Sequence, residues 1–224
     1  MPYSLQGQKR FVVAIDFESV LVHFEERYKQ CLTYALGREV ATDELWDENL
    51  PDGVLATAIK IHRSDQWSTP PLDECAAGLI AELERLSCDV RVILRVDPEF
   101  RNGRENLLRQ IFVVPEQVIC IGHDVTHEAV IDVLREIGAE AFLGGAWDIG
   151  APHQGGVNAS IVEACASIDG MLTVLLDDSD GDPVRSPVDG VETIGDIMDF
   201  PLLVWEKMRQ ANRVSLLWDI HTCD

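Results

Sequence analysis

The chain has 224 residues and a formal net charge of −21, from 39 acidic against 18 basic side chains. That balance, with no basic run, argues against nucleic-acid and anionic-membrane binding, which need clustered cations to displace counterions. Hydrophobic residues at 46% supply a sizeable core, and no apolar run approaches the roughly 20 residues that span a bilayer. Met1 to Arg10 has no apolar stretch ahead of its charges and does not read as a signal peptide. Cys31, Cys75, Cys88, Cys120, Cys165 and Cys223 form no C-x-x-C pair. They read as small core residues of a reduced, cytoplasmic protein, and zinc is not expected.

Phe11-Val12-Val13-Ala14-Ile15 runs apolar and largely β-branched into Asp16, and Glu18 follows two positions later. Such a run predicts a strand buried on both faces, as in a parallel sheet, whose carboxyl end is where open α/β sheets place their chemistry. Residues 19–36 carry apolar positions at helical spacing and end at Gly37; a short helix from Thr42 and Asp43, a turn at Pro51-Asp52-Gly53 and a further helix to Ile61 follow. The polar, proline-containing stretch Ser64 to Pro71 reads as a boundary. Leu72 to Leu86 predicts a strong amphipathic helix feeding a strand over 90–94. Helix and strand then alternate: helix 101–110, strand 118–121, helix 127–137, strand 140–143, helix 157–167, strand 171–176. Gly138 and Gly170 stand as helix stops. This alternation implies a parallel, doubly wound sheet, with the helical block after the first strand forming a small cap.

At this point the chain resembles the haloacid dehalogenase superfamily, in the branch with a small helical cap after the first strand. Asp16-Phe17-Glu18-Ser19-Val20-Leu21 stands where that family has Asp-x-Asp-Gly-Thr/Val-Leu. Arg95-Val96-Asp97-Pro98 follows the strand that should end in Thr or Ser, and His123-Asp124-Val125-Thr126 falls where a Lys is expected. Phe142-Leu143-Gly144-Gly145-Ala146-Trp147-Asp148-Ile149 replaces the acidic fourth motif, and Val191 to Ile197 is similar to the closing strand and helix start. The resemblance implies a three-layer α/β core over 1–21 and 71–224 and a helical cap over 22–70. It implies Asp16 as nucleophile for phosphoryl transfer and Glu18 as acid and base, one methylene longer than the family's residue. Arg95 and His123 become the candidate phosphate contacts, and Asp16 and Asp148 the candidate magnesium ligands, with Gly144 at the place of the expected metal-binding Asp. Losing an oriented transition-state donor costs about 10²–10³ in rate, so the expectation is a protein derived from a magnesium-dependent phosphate-ester hydrolase, catalytically impaired and serving binding or regulation. An active phosphatase with Asp16 as nucleophile is the alternative.

A second resemblance competes. Gly155-Gly156-Val157-Asn158, a helix, a strand and Asp178-Ser179-Asp180 are similar to the tail of PIN-like metal-dependent ribonucleases, which would use Asp16, Asp178 and Asp180 or Glu163 as metal ligands. Asn158 in place of that family's central Asp, the inserted cap and the charge weigh against it. The acid cluster Asp177 to Asp182 otherwise reads as a solvated turn, and His62, His127, His153 and His221 share no metal-ligand spacing. Pro201 to Ala211 predicts an amphipathic helix. Val214 to Ile220 reads as an extra strand or an apolar docking peptide, so partners are a small phosphorylated ligand or a protein, a second copy of the chain included.

Overall fold

The computed structural model describes residues 10–41, 44, 50–51, 53–54, 57–58, 71–96, 98–122, 126–145, 161–177, 189–211 and 213. Its centre is β1 (Val12–Asp16), buried at every position. Hydrogen bonds link it on one side to β2 (Asp89–Leu94) and on the other to β4 (Ala141–Gly145). With β3 (Val118–Cys120), β5 (Leu172–Leu176) and β6 (Val191–Ile194) the sheet runs in the order β3-β2-β1-β4-β5-β6. Every pairing is parallel. The strand order therefore reverses between β1 and β4, and a ligand crevice forms at the carboxyl ends of strands beside such a reversal.

Alternation along β1 feeds two cores. Val13 and Ile15 join a cluster with Leu79, Ile80 and Leu83 of α2 (Ala76–Arg85), Leu107 and Leu108 of α3 (Arg101–Leu108), and Val204 and Met208 of α6 (Phe200–Gln210). Ala14 turns to the other face, with Val130 and Leu134 of α4 (His127–Ile137) and Val162 and Cys165 of α5 (Ile161–Cys165). A β-branched strand buried on both faces follows directly from this sandwiching.

Several boundaries match the sequence signals because the capping chemistry is local. Thr126 accepts the Ala129 N–H at the start of α4, and Gly138 closes it at φ 65°. Gly37 closes α1 (Phe24–Leu36) in the same way. Two expectations shift. The helix predicted from Leu72 begins at Ala76, because Leu72 pairs antiparallel with Val22 and the Asp73 carboxylate accepts the Cys75 N–H at 2.7 Å. The helix predicted from residue 19 is interrupted: Phe17–Leu21 forms a π-helical turn before α1 begins.

The chain on either side of residues 24–70 meets in a paired junction, where Val22 bridges Leu72. His23 N–H donates to the Pro71 carbonyl and Asp73 N–H to the Leu21 carbonyl, both at 3.0 Å. Tyr28, Cys31, Leu32, Val40 and Ala58 make a third buried cluster of their own. The predicted short helix from Thr42, apart from Glu44, and the boundary Ser64 to Pro71, apart from Pro71, lie outside the described residues, as do Asn158, Asp178 to Asp182 and Val214 to Ile220. Among the described residues no helix is long and apolar enough to cross a membrane.

Candidate functional site

Asp16 is the last residue of β1 and the N-cap of the π-helical turn, where its carboxylate accepts the Ser19 N–H at 3.2 Å. The Ser19 hydroxyl donates to the same oxygen, Oδ2, at 2.5 Å, and itself accepts the Gly145 N–H at 2.8 Å. Arg95, one residue beyond β2, completes the arrangement. Its Nε donates to Asp16 Oδ1 at 3.1 Å and its Nη2 to Oδ2 at 3.0 Å. Asp16 is 1% exposed and the Arg95 side chain 9%.

This is a bidentate, buried guanidinium–carboxylate pair, the strongest geometry available to these two groups. Oδ2 receives three donors and Oδ1 one, close to the limit of what a carboxylate can accept. A nucleophilic carboxylate needs an accessible oxygen, and both oxygens of Asp16 are engaged inside the protein. The Cys165 thiol lies close enough to feel the pair. Burial pushes its pKa up to about 12, the Asp16 carboxylate adds to the rise, and Arg95 opposes it.

Glu18 faces a different partner. It is 1% exposed, and its Oε1 stands 3.7 Å from Nε of Arg104, which comes from α3 and is fully buried. The two acids of the Asp16-Phe17-Glu18 motif are thus each matched to an arginine from a separate element. Among the described residues the tip of β4 brings the motif glycines rather than a third acid. A Cβ on Gly145 would collide with the Ser19 carbonyl oxygen and lie 2.8 Å from the Ser19 Cβ, so this glycine permits β4 to approach the turn. Gly144, the position expected to correspond to a metal-binding Asp, faces the other way, and its Cβ would meet the Val162 side chain at 2.7 Å. The residue of β4 on the Asp16 side is Gly145.

Magnesium requires near-octahedral oxygen ligation. Asp16 already carries a guanidinium on both oxygens, and β4 contributes two glycines at its tip. Among the described residues no group of three or more His, Cys, Asp or Glu side chains could hold a metal ion. The described residues do not fit the ion. Of the sequence candidates, Asp16 and Arg95 come together, and Glu18 is held by Arg104; His123 and Asp148 lie outside the described residues. Glu163, the nuclease candidate, is half-buried on α5.

Four participants escaped the sequence reading. Ser19 follows Asp16 at N-cap spacing, a signal that was available. Arg104 stands at i, i+3, i+4 and i+7 with Leu107, Leu108 and Ile111, which places it on an apolar face. Gly145 and Cys165 carry no local signal, since their roles arise only where β4 and α5 meet β1.

No family model matches the chain, and no curated protein matches it. Solved structures do. A haloacid dehalogenase-like hydrolase from Burkholderia xenovorans superposes with a TM-score of 0.57 at 11% identity, over 90% of this chain and 99% of its own. A haloacid dehalogenase family hydrolase from Deinococcus radiodurans, solved with bound phosphate and sodium, gives 0.55 at 12% identity, over 88% and 96%. A predicted phosphoglycolate phosphatase from Haemophilus somnus gives 0.52 at 12%, over 88% and 100%. At such identities the likeness is one of fold. The chain has the haloacid dehalogenase-like fold.

Proposed function

We propose that this chain, built on the hydrolase fold just identified, is a binding or regulatory protein whose phosphoryl-transfer centre is closed by Arg95. The observation that carries the reading is the bidentate Arg95–Asp16 pair at 3.0 and 3.1 Å, with Asp16 1% exposed. In a working centre of this kind the carboxylate attacks phosphorus, a second acid protonates the leaving oxygen, and cations hold the transferring oxygens. Here the candidate cation is held by the candidate nucleophile, and Glu18 is paired with Arg104 inside the protein. Opening the Asp16 pair would separate two buried charges and leave the carboxylate only its Ser19 donors, at a cost of several kcal/mol.

The same pairing weakens the case for a phosphorylated ligand at this place. The segment between Val22 and Leu72, with its own buried cluster, is the natural candidate for a separate cap unit. Among the described residues the five cysteines carry free thiols, which is consistent with the reducing, cytoplasmic setting proposed here.

The test is turnover of p-nitrophenyl phosphate with magnesium, comparing wild type with Asp16→Asn. Background rates in both are expected. Turnover in wild type that disappears in Asp16→Asn would overturn the reading in favour of an active phosphatase. Metal-dependent cleavage of single-stranded RNA would instead overturn it in favour of a nuclease.

A further inference from the structure

Arg213 is fastened to the amino end of the sheet, the end opposite Asp16. Its backbone N–H donates to the Met208 carbonyl at 2.9 Å. Its guanidinium pairs with Glu140, one residue before β4, at 2.6 Å, and lies 5.8 Å from the ring of Phe11, one residue before β1. The two side chains of the ion pair are only 28% and 26% exposed. Contacts from three directions therefore fix the point from which the following chain departs.

That point adjoins a groove of about 500 Å³ at the start of β2, whose walls include Cys88, Asp89, Val90, Phe112 and Val114. Two routes connect them. Met208, which holds the Arg213 backbone, sets its sulfur 3.9 Å from the Cys88 thiol. Phe11, which meets the Arg213 guanidinium, accepts the Asp89 N–H at 2.8 Å. Arg213 is thus one residue removed from the groove wall by either route. Within the groove Phe112 is 73% exposed and Val114 48%, two of the four large hydrophobic side chains exposed among the described residues.

The chain beyond Arg213 supplies apolar groups at this place. Val214-Ser215-Leu216-Leu217-Trp218-Asp219-Ile220 is apolar at five of its seven positions, and side chains of this kind gain by leaving water. Extended, seven residues span roughly 23 Å, against about 5 Å between neighbouring strands, so the segment is long enough to pass β2 and reach Phe112. An outside partner would have to compete with a segment tethered beside the groove at the high effective concentration of a short linker. We propose that residues 214–220 seat in this groove as an intramolecular strap, covering Phe112 and Val114.

The proposal rests on nothing at the Asp16 centre. Hydrogen–deuterium exchange on the native full-length chain, read by mass spectrometry, tests it. Amides of 214–220 are expected to exchange about tenfold or more slowly than in an unstructured chain. Val114→Asp and Phe112→Ser, both at exposed positions, should return them to the free-chain rate and leave α4 as slow as in wild type. Leu217→Asp, which alters only the strap, should in turn speed exchange over 112–117. Free-chain exchange of 214–220 in wild type would refute the strap. Protection indifferent to both groove variants would put the segment elsewhere and refute it as well. Exchange over 112–117 that Leu217→Asp leaves unchanged has the same force, even where a groove variant fails to fold. Analytical ultracentrifugation identifies the remaining occupant: a dimer dissociated by Leu217→Asp would put a second copy's segment in the groove and overturn the intramolecular reading. Phosphatase turnover, whatever its outcome, leaves these results unchanged.

Discussion

Arg95 grips both oxygens of Asp16, with Nε on Oδ1 at 3.1 Å and Nη2 on Oδ2 at 3.0 Å. The contact joins the tips of two adjacent strands, since Asp16 pairs with Ile93 in the register of β1 and β2. It therefore links the stability of the sheet's centre to the state of the candidate nucleophile.

Arg95→Met is expected to destabilise the fold by about 3–5 kcal/mol, because it leaves the Asp16 carboxylate buried without its guanidinium. Asp16→Leu combined with Arg95→Met should recover much of that loss, since no buried charge remains. Urea unfolding of wild type, both single variants and the double variant provides the measurement. Strictly additive losses would show that the pair does not act as a unit.

Arg104→Met should cost about as much, roughly 3–5 kcal/mol, for the same reason at Glu18. Arg104 is fully buried and Glu18 1% exposed. Glu18→Gln added to Arg104→Met should be milder than Arg104→Met alone. Hydrogen exchange should report the damage in α3 and the π-helical turn, the two elements the pair joins.

The two glycines ending β4 should respond differently to a methyl group. Gly144→Ala meets the Val162 side chain at 2.7 Å, so the expected loss of about 1–3 kcal/mol should be largely rescued by Val162→Ala. Gly145→Ala meets the Ser19 backbone, which cannot retract, and Val162→Ala should bring no relief. Thermal melts of the four variants decide the matter. Rescue of both glycine variants by Val162→Ala would contradict the assignment of Gly145 to the Asp16 side.

Alkaline pH should loosen the cores through their thiols. Burial raises Cys88 and Cys165 to about 12 and Cys31 to about 11, from an ordinary value of 9.0. The folded state holds these protons more tightly than the unfolded chain. The associated stability is complete below pH 9 and is lost as pH rises from there towards about 12. Urea midpoints should fall over that window, and by less in Cys165→Ala. In native protein at pH 8 a thiol reagent should leave these three cysteines unmodified until denaturant is added.

Much of the architecture was legible because it rests on short-range chemistry. The run into Asp16, the Thr126 and Gly138 caps around α4 and the strand–helix alternation each report on a few neighbouring residues. The site was only half legible. Asp16 and Arg95 stood out as candidates, but with separate tasks: one as nucleophile, the other as phosphate contact. That they bind each other depends on β1 and β2 being adjacent and in register. Glu18 was read as a candidate active-site acid, and only the placement of α3 sets Arg104 against it. Gly144 was read as the position where a metal-binding Asp is expected, and the two-residue alternation of β4 turns it towards α5 and sets Gly145 beside Ser19.

The amino-acid sequence alone determined a parallel α/β core with an insertion after its first strand and an acid at that strand's tip. Those features follow from hydrophobic periodicity and capping, which act within a turn or two of the chain. Only the tertiary structure decided what the acid is bound to. The Asp16–Arg95 pair closes across 79 positions of sequence, and a buried charge takes its character from the group the fold places beside it.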